Sequence, residues 1–312
     1  MSIEQLDAAV AGDGPLRATG TIPLGEMPGG HSIDVPFTVL RGRERDPVVW
    51  MMAARDGDEV HATLVAMNLQ RRLSPEMING SLIVLPIGNV PGFGVLSREH
   101  PLAQTYLERE MDERFFKIMS ARGGSFIDLH SAGVPSDTVD WTLRVDGDET
   151  AAEMARAYGS PFVYVHRIGS GEGIDASLLD DALFVRLSRA GLPSILIEAG
   201  GGLPPSPETV RRAASGVENV LRALGSLPGD VAPASDQEEL RGFRIVAPAR
   251  GGILEDATAL GERVEAGHVL GRVVDPYGGL VEEIVAPVAG VVLTVPANPA
   301  IGTGTWAFEI GW

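Results

Sequence analysis

Residues Val48 to Ala62 read VVWMMAARDGDEVHA, and the break inside this stretch decides the fold class. An apolar run, Val48 to Ala54, gives way to Arg55-Asp56-Gly57-Asp58-Glu59, and a helix-like segment follows from Val60 to Leu73. A run so short and so uniformly apolar reads as a strand buried on both faces of a sheet. Its end is then a strand-to-helix loop, where open α/β sheets carry functional groups. Asp56 and Glu59 are three residues apart, so a helix starting near Asp56 would turn both carboxylates to one side. Two oxygen donors in that relation suit a divalent metal if a third ligand arrives from elsewhere. The competing reading is structural, with Asp56 and Asp58 as helix caps and Glu59 in the first turn.

The same pattern occurs twice more. Ser125-Phe126-Ile127-Asp128-Leu129-His130 is a short apolar strand ending in His before Ser131-Ala132-Gly133, and Ser194-Ile195-Leu196-Ile197-Glu198 ends in Glu before Ala199-Gly200-Gly201-Gly202. Singly, such a residue is ordinarily just solvated. Three buried strands that each end in one ionisable group imply convergence on one sheet edge, because a buried charge is costly unless paired or coordinated.

At this point the chain resembles the succinylglutamate desuccinylase/aspartoacylase family of zinc hydrolases with a carboxypeptidase-like fold, and within it the N-acetyl-diaminobutyrate deacetylase-like subgroup. The family's H-G-D-E corresponds to Asp56-Gly57-Asp58-Glu59, with Asp in place of the His. Its D-L-H corresponds to Asp128-Leu129-His130 and its E-x-G-G to Glu198-Ala199-Gly200-Gly201. Its R-x-x-P-x-D-G-x-x-x-N-R corresponds to Arg98 through Arg109, with Pro101 kept, Ala103-Gln104 for D-G and Glu108-Arg109 for N-R. The resemblance implies one Zn²⁺ per chain, or another divalent ion such as Mn²⁺, on Asp56, Glu59 and His130. It also implies Glu198 as proton shuttle, Arg98 on the scissile carbonyl and Arg109 on a substrate carboxylate, with Glu108 and Asn89 as further substrate contacts. Glu108 would compete for Arg109, which implies a substrate whose acid part differs from aspartate or glutamate, or one bearing an amine.

Composition sets the outer bounds. With 312 residues and 44% apolar content the chain can bury a large core. A formal charge of −17 argues against nucleic acid as a partner. The absence of Cys leaves no thiolate nucleophile, thiolate ligand or disulfide. No basic-then-apolar leader opens the chain, and no apolar run approaches about 18 residues, so a cytoplasmic protein without a membrane span is expected.

In chain order, the sequence predicts a loose start to about Gly20, strand-like segments Thr21–Leu24 and Ser32–Arg41, and a buried strand Gly80–Pro86 leading to Asn89. An irregular loop is expected over Val90–Ala103. Beyond it come a helix Glu149–Tyr158, a strand Phe162–His166, a helix Asp175–Ala190 and a helix Ser206–Leu224. His31 reads as solvated, and His166 as a weak candidate for the pocket. Gly169–Gly173 has the wrong spacing for a phosphate loop and reads as a flexible active-site loop. Gly225–Gln237 is linker-like in composition.

Beyond that linker, Ile245-Val246-Ala247-Pro248 recurs as Ile284-Val285-Ala286-Pro287. Two such halves look like a biotinyl/lipoyl-type flattened barrel, but the hairpin tip Asp275–Gly279 has no lysine for a prosthetic group, Lys117 being the only one in the chain.

The expected architecture is therefore α/β. A mixed-sheet, zinc-carboxypeptidase-like catalytic domain spans 1–228 with a strand-rich lead 1–46, followed by a linker 229–242 and a small all-β barrel domain 243–312. The expected function is metal-dependent hydrolysis of an amide in a small N-acyl amino acid or N-acyl amine, in an enzyme compatible with homo-oligomers. An ester or lactam would use the same groups. The alternative is a family member that has lost catalysis and kept a small-molecule binding site.

Overall fold

The computed structural model describes residues 3–27, 29–98, 105–169, 179–232 and 236–312, with the side chains of 105–108 left aside. The first unit opens with helix α1 (Ile3–Ala11) and the hairpin β1 (Leu16–Glu26) and β2 (Ser32–Arg41). Then come β3 (Val48–Ala53), α2 (Val60–Arg72), β4 (Ser81–Leu85), α3 (Val90–Phe93), α4 (Thr105–Ser120) and β5 (Ser125–His130). The unit continues through β6 (Ser136–Thr138), β7 (Trp141–Val145), α5 (Glu149–Tyr158), β8 (Phe162–His166), α6 (Leu183–Arg189), β9 (Ser194–Glu198) and α7 (Pro207–Ala223). With β10 (Glu238–Leu240), these strands form a nine-stranded sheet ordered β1-β2-β4-β3-β5-β9-β7-β8-β10.

The run at Val48 is a central strand, and both of its faces are covered. Val49, Met51 and Ala53 pack with α2, α5 and α7 in one core, while Trp50 and Met52 pack on the other face with α4 and α6. That two-sided burial explains why no polar alternation interrupts the run. Each large side chain so buried contributes about 1.5–3 kcal/mol of transfer free energy.

Strand direction divides the sheet. β4, β3, β5 and β9 are parallel neighbours, so their C-terminal ends share one edge. β7 runs antiparallel to β9, and β8 follows β7 in parallel. Hence β8 ends at the opposite edge.

Residues 243–311 build two antiparallel sheets around a third core that includes Leu270, Val273, Val292 and Phe308. Their strands are β11 (Phe243–Val246), β12 (Gly252–Glu255), β13 (Arg263–Val264), β14 (Val269–Val274), β15 (Leu280–Val285), β16 (Gly290–Pro296), β17 (Ala300–Ile301) and β18 (Phe308–Gly311). The two units interlock. β6 pairs antiparallel with β16 through Thr138↔Thr294 and Ser136↔Pro296, and Phe243, Val291 and Leu293 enter the core on the α4/α6 side of the large sheet.

Three expectations change. The start to Gly20 is ordered: α1 buries Leu6 and Ala9, and Arg41 donates to the carbonyls of Ala9, Asp13 and Gly14. That clamp is a long-range contact with no local signature. Glu238–Leu240, inside the expected linker, is a strand paired with β8, because three residues beside an open edge can gain ladder hydrogen bonds whatever their composition. The helix expected from Asp175 begins at Leu183 within the described residues, and residues 170–178, including most of the Gly169–Gly173 loop, lie outside them. His31 is exposed as expected. Among the described residues, no helix is long and apolar enough to cross a membrane.

Candidate metal centre

The period of a strand sets which side chains share a face. In β5, Ile127 and Leu129 enter the core on the α2/α5/α7 side while Phe126 enters the opposite one, so Asp128 and His130 lie on the α4/α6 face. In β9, Ile195 and Ile197 face α7, which puts Glu198 beside Leu196 on that same α4/α6 face. His130 and Glu198 are partners in the parallel register.

Asp56 and Glu59 reach this edge by a turn and not by a shared helix. α2 begins only at Val60, Glu59 N–H donates to the Asp56 carbonyl (3.2 Å), and Glu59 at the N-cap makes no side-chain cap hydrogen bond. The structural reading puts Glu59 in the first turn of the helix; it stands instead at the N-cap position, and its side chain caps nothing. Ala54, at the strand end, has φ 47°, unusual for a residue with a Cβ. Its carbonyl accepts from Asn89 N–H (2.8 Å), which ties the loop to the α3 segment. Gly57 passes so close to Gly92 that a Cβ there would lie 2.3 Å from the Gly92 carbonyl carbon. Gly57 N–H also donates to the Arg98 carbonyl (3.0 Å).

The outcome is a buried trio. One ligand atom from each of Asp56, Glu59 and His130 lies within 4.8 Å of the others, so the group could hold a metal ion. His130 Nδ1 is 3.3 Å from Glu59 Oε1 and 3.6 Å from Asp56 Oδ2. The other ring nitrogen, Nε2, lies 3.3 Å from Asp128 Oδ1. Arg98 spans the two carboxylates, 2.8 Å from Asp56 Oδ2 and 3.5 Å from Glu59 Oε1. Arg55 grips Asp112 through two nitrogens and touches Asp56 Oδ1 at 3.2 Å.

The electrostatics fit a site built for a cation. Burial pushes the Glu59 carboxyl up to about 7; Asp56 adds to the rise, while His130 and Arg98 oppose it. Burial acts the same way on Asp56, but Arg98, His130 and Arg55 outweigh it and hold that carboxyl well below the usual range. Burial alone would lower His130, yet Glu59 and Asp128 raise it well above its ordinary value. Glu198 is raised by burial and then by Glu59. Glu59 Oε2 is buried without a hydrogen-bond partner among the described residues. Two carboxylates and one imidazole, with Glu59 Oε2 3.1 Å from His130 Nδ1, are a donor set suited to a divalent ion.

Other sequence candidates fall elsewhere. Asn89 lies at the start of α3: it is 2% exposed, its Oδ1 accepts from Gly92 N–H and its amide faces the Arg98 carbonyl at 3.5 Å. Asn89 thus caps α3 and braces the loop. Arg109 is exposed on α4, while the Glu108 side chain and residues 99–104 lie outside the described residues. His166, the weak candidate for the pocket, sits at the far edge with Nε2 2.8 Å from Asp180 Oδ1. Asp58 is no member of the trio; it packs against Gly133, where a Cβ would meet its Oδ2 at 2.4 Å.

Sequence reasoning missed five neighbours. Asp128 was detectable, because a residue two before His130 in a strand must share its face. The Arg55–Asp112 pair and the C-terminal Trp306, 5.3 Å from the Arg98 guanidinium, carry no local signal. Neither does Glu309 of β18, whose charge contributes to raising Glu198.

The fold and this edge define an α/β protein with a metal-competent centre at the ends of parallel strands. The model of the succinylglutamate desuccinylase/aspartoacylase catalytic domain matches residues 45–224. That is more than half of the chain, and the chain belongs to this family. It is 24% identical over 265 residues to the N-alpha-acetyl-L-2,4-diaminobutyric acid deacetylase of Halomonas elongata, covering 78% of this chain and 75% of that protein. The same fold occurs in the product-bound ectoine utilization protein EutE (DoeB) of Ruegeria pomeroyi (TM-score 0.78, 22% identity, 97% and 96% of the two chains). It occurs also in a succinylglutamate desuccinylase/aspartoacylase of Rhodobacter sphaeroides (TM-score 0.75, 21% identity, 96% of each chain).

Proposed function

We propose that the chain is a metal-dependent hydrolase of the amide bond in a small N-acyl amino acid or N-acyl amine. The observation that carries this reading is the trio Asp56, Glu59 and His130 on one sheet edge, with Glu198 in register beside His130. Asp56, Glu59 and His130 Nδ1 would hold one Zn²⁺, with Mn²⁺ as a substitute suited to the two carboxylates. The ion would supply Lewis acidity, lowering the pKa of a water and polarising the scissile carbonyl.

The protein groups do the rest. Asp128 faces Nε2 of His130, which favours the tautomer that leaves Nδ1 free to ligate. Glu198 takes a proton from the attacking water and delivers it to the leaving amine as the C–N bond breaks. Arg98 donates to the oxygen that gains charge in the tetrahedral transition state. Arg109 and Glu108 would contact the part of the substrate beyond the amide. Residues 243–312 would form the flattened barrel of biotinyl/lipoyl type and wall the site.

The test combines metal analysis with release of free amine from a panel of N-acetyl amino acids, including N-acetyl-L-2,4-diaminobutyrate, the compound class named for the Halomonas relative. About one Zn²⁺ per chain and chelator-sensitive hydrolysis are expected. Full hydrolysis by metal-free protein overturns the mechanism. Tight metal binding with no turnover on any amide, ester or lactam overturns the enzyme and favours a binding protein.

A further inference from the structure

Arg98 is held at three points. Its carbonyl accepts from Gly57 N–H at 3.0 Å, its guanidinium bridges Asp56 and Glu59, and its Cζ lies 5.3 Å from the centre of the Trp306 ring. Trp306 belongs to the C-terminal sheets, in the turn between β17 and β18. That turn is pinned on both sides of the ring: Gly302 N–H donates to Thr305 Oγ1 (3.0 Å), and Ala307 N–H donates to the Val246 carbonyl (3.1 Å). The indole therefore sits on a fixed perch while staying 48% exposed. A single exposed tryptophan is ordinary on a protein surface. This one lies over a cation that touches two of the three candidate ligands, within the distance at which an aromatic face attracts a guanidinium.

We propose that Trp306 is a positioning residue for Arg98, so that the C-terminal unit is a working part of the site; this rests on the hydrolase reading above for its effect on turnover. Arg98 has a long side chain, 45% exposed, with solvent as an alternative to the site. Two of its contacts are carboxylates of the trio, and a third is the indole ring. The stack favours the guanidinium orientation that lies on Asp56 and Glu59, leaving the remaining N–H groups for a substrate oxygen. Removing the indole frees the guanidinium to leave the site without touching a candidate metal ligand.

Two measurements test this. The first needs no substrate: the Trp306 indole N–H resonance, identified as the one missing from Trp306→Phe, should shift in Arg98→Gln. An unmoved resonance overturns the stack. The second uses N-acetyl-L-2,4-diaminobutyrate and the zinc-loaded enzyme. Trp306→Ala should lower kcat about tenfold with KM nearly unchanged and metal content intact, on the scale of a lost cation–π contact. Trp306→Phe should restore most of the rate, and Arg98→Gln with Trp306→Ala should be no slower than Arg98→Gln alone. Undiminished turnover in Trp306→Ala, or additive losses in the double variant, overturns the proposal. If the parent hydrolyses nothing in the panel, the hydrolase reading fails, and the resonance shift alone decides the stack.

Discussion

Two strands of the large sheet end almost alike: β5 as Phe126-Ile127-Asp128-Leu129-His130 and β8 as Phe162-Val163-Tyr164-Val165-His166. Both histidines are buried. His130 stands among Asp56, Glu59 and Asp128, whereas His166 has one carboxylate, Asp180, on Nε2 and no hydrogen-bond partner for Nδ1 among the described residues. The cause is strand direction. β5 is parallel to β3 and β9, so its end shares an edge with the Asp56–Glu59 loop and with Glu198; β8 runs the other way. A strand-end histidine becomes a candidate ligand through the company its edge provides.

Breaking the two sites should give unlike results. His130→Ala should release the metal and lower turnover by at least about 10³-fold, measured by elemental analysis and amine release. Retention of both would reduce the populated edge to packing. Glu198→Gln should keep the metal and lose about 10²–10⁴-fold in kcat, since an amide cannot shuttle the proton; near-parent turnover would remove Glu198 from that role. Asp128→Asn should weaken metal affinity by about 10–100-fold, read by competition with a chelator, and an unchanged affinity would make Asp128 a bystander. At the far edge, His166→Ala should leave metal and kcat intact and cost about 1–3 kcal/mol in denaturant unfolding. A loss of metal there would erase the contrast.

A third histidine sharpens the comparison through pH. His61 Nε2 accepts the Ser206 N–H at 2.9 Å, at the start of α7, and burial lowers its pKa below the ordinary 6.5. Protonation is then easier in the unfolded chain, so stability is fully present above pH 6.5 and declines as pH falls through that value toward the lower folded pKa. The decline in Tm over that window should flatten in His61→Gln, which keeps an acceptor and does not titrate. An identical decline in the variant would assign it to other groups.

Much of the edge that carries the trio was legible because it rests on short-range rules. Uniformly apolar runs mark two-sided burial, and glycine-rich turns mark strand ends. Two such runs, Ser125–His130 and Ser194–Glu198, are strands with the expected bounds. The errors share a different origin. The clamp of Arg41 on α1, the edge pairing of Glu238–Leu240 and the direction of β8 are decided by residues far away in the chain. Asn89 shows a local role that its residue type alone does not announce: a polar residue after a buried strand can serve the loop itself, and here it caps α3.

The stitching between the two units bears on how fast anything enters or leaves. β6 follows His130 by a few residues and is laddered to β16, Ala297 N–H donates to the Pro135 carbonyl at 2.8 Å, and β10 adds the inter-unit segment to the large sheet. A hinge needs a few loop residues free to absorb large changes in φ and ψ. Here the connecting chain is hydrogen-bonded at Glu238–Leu240, and a second ladder crosses beside the metal edge. Rocking of one unit against the other, on the microsecond-to-millisecond scale of domain motion, would have to break those ladders. The placement of the C-terminal strands against the end of the large sheet should then stay nearly the same whether or not the site is occupied.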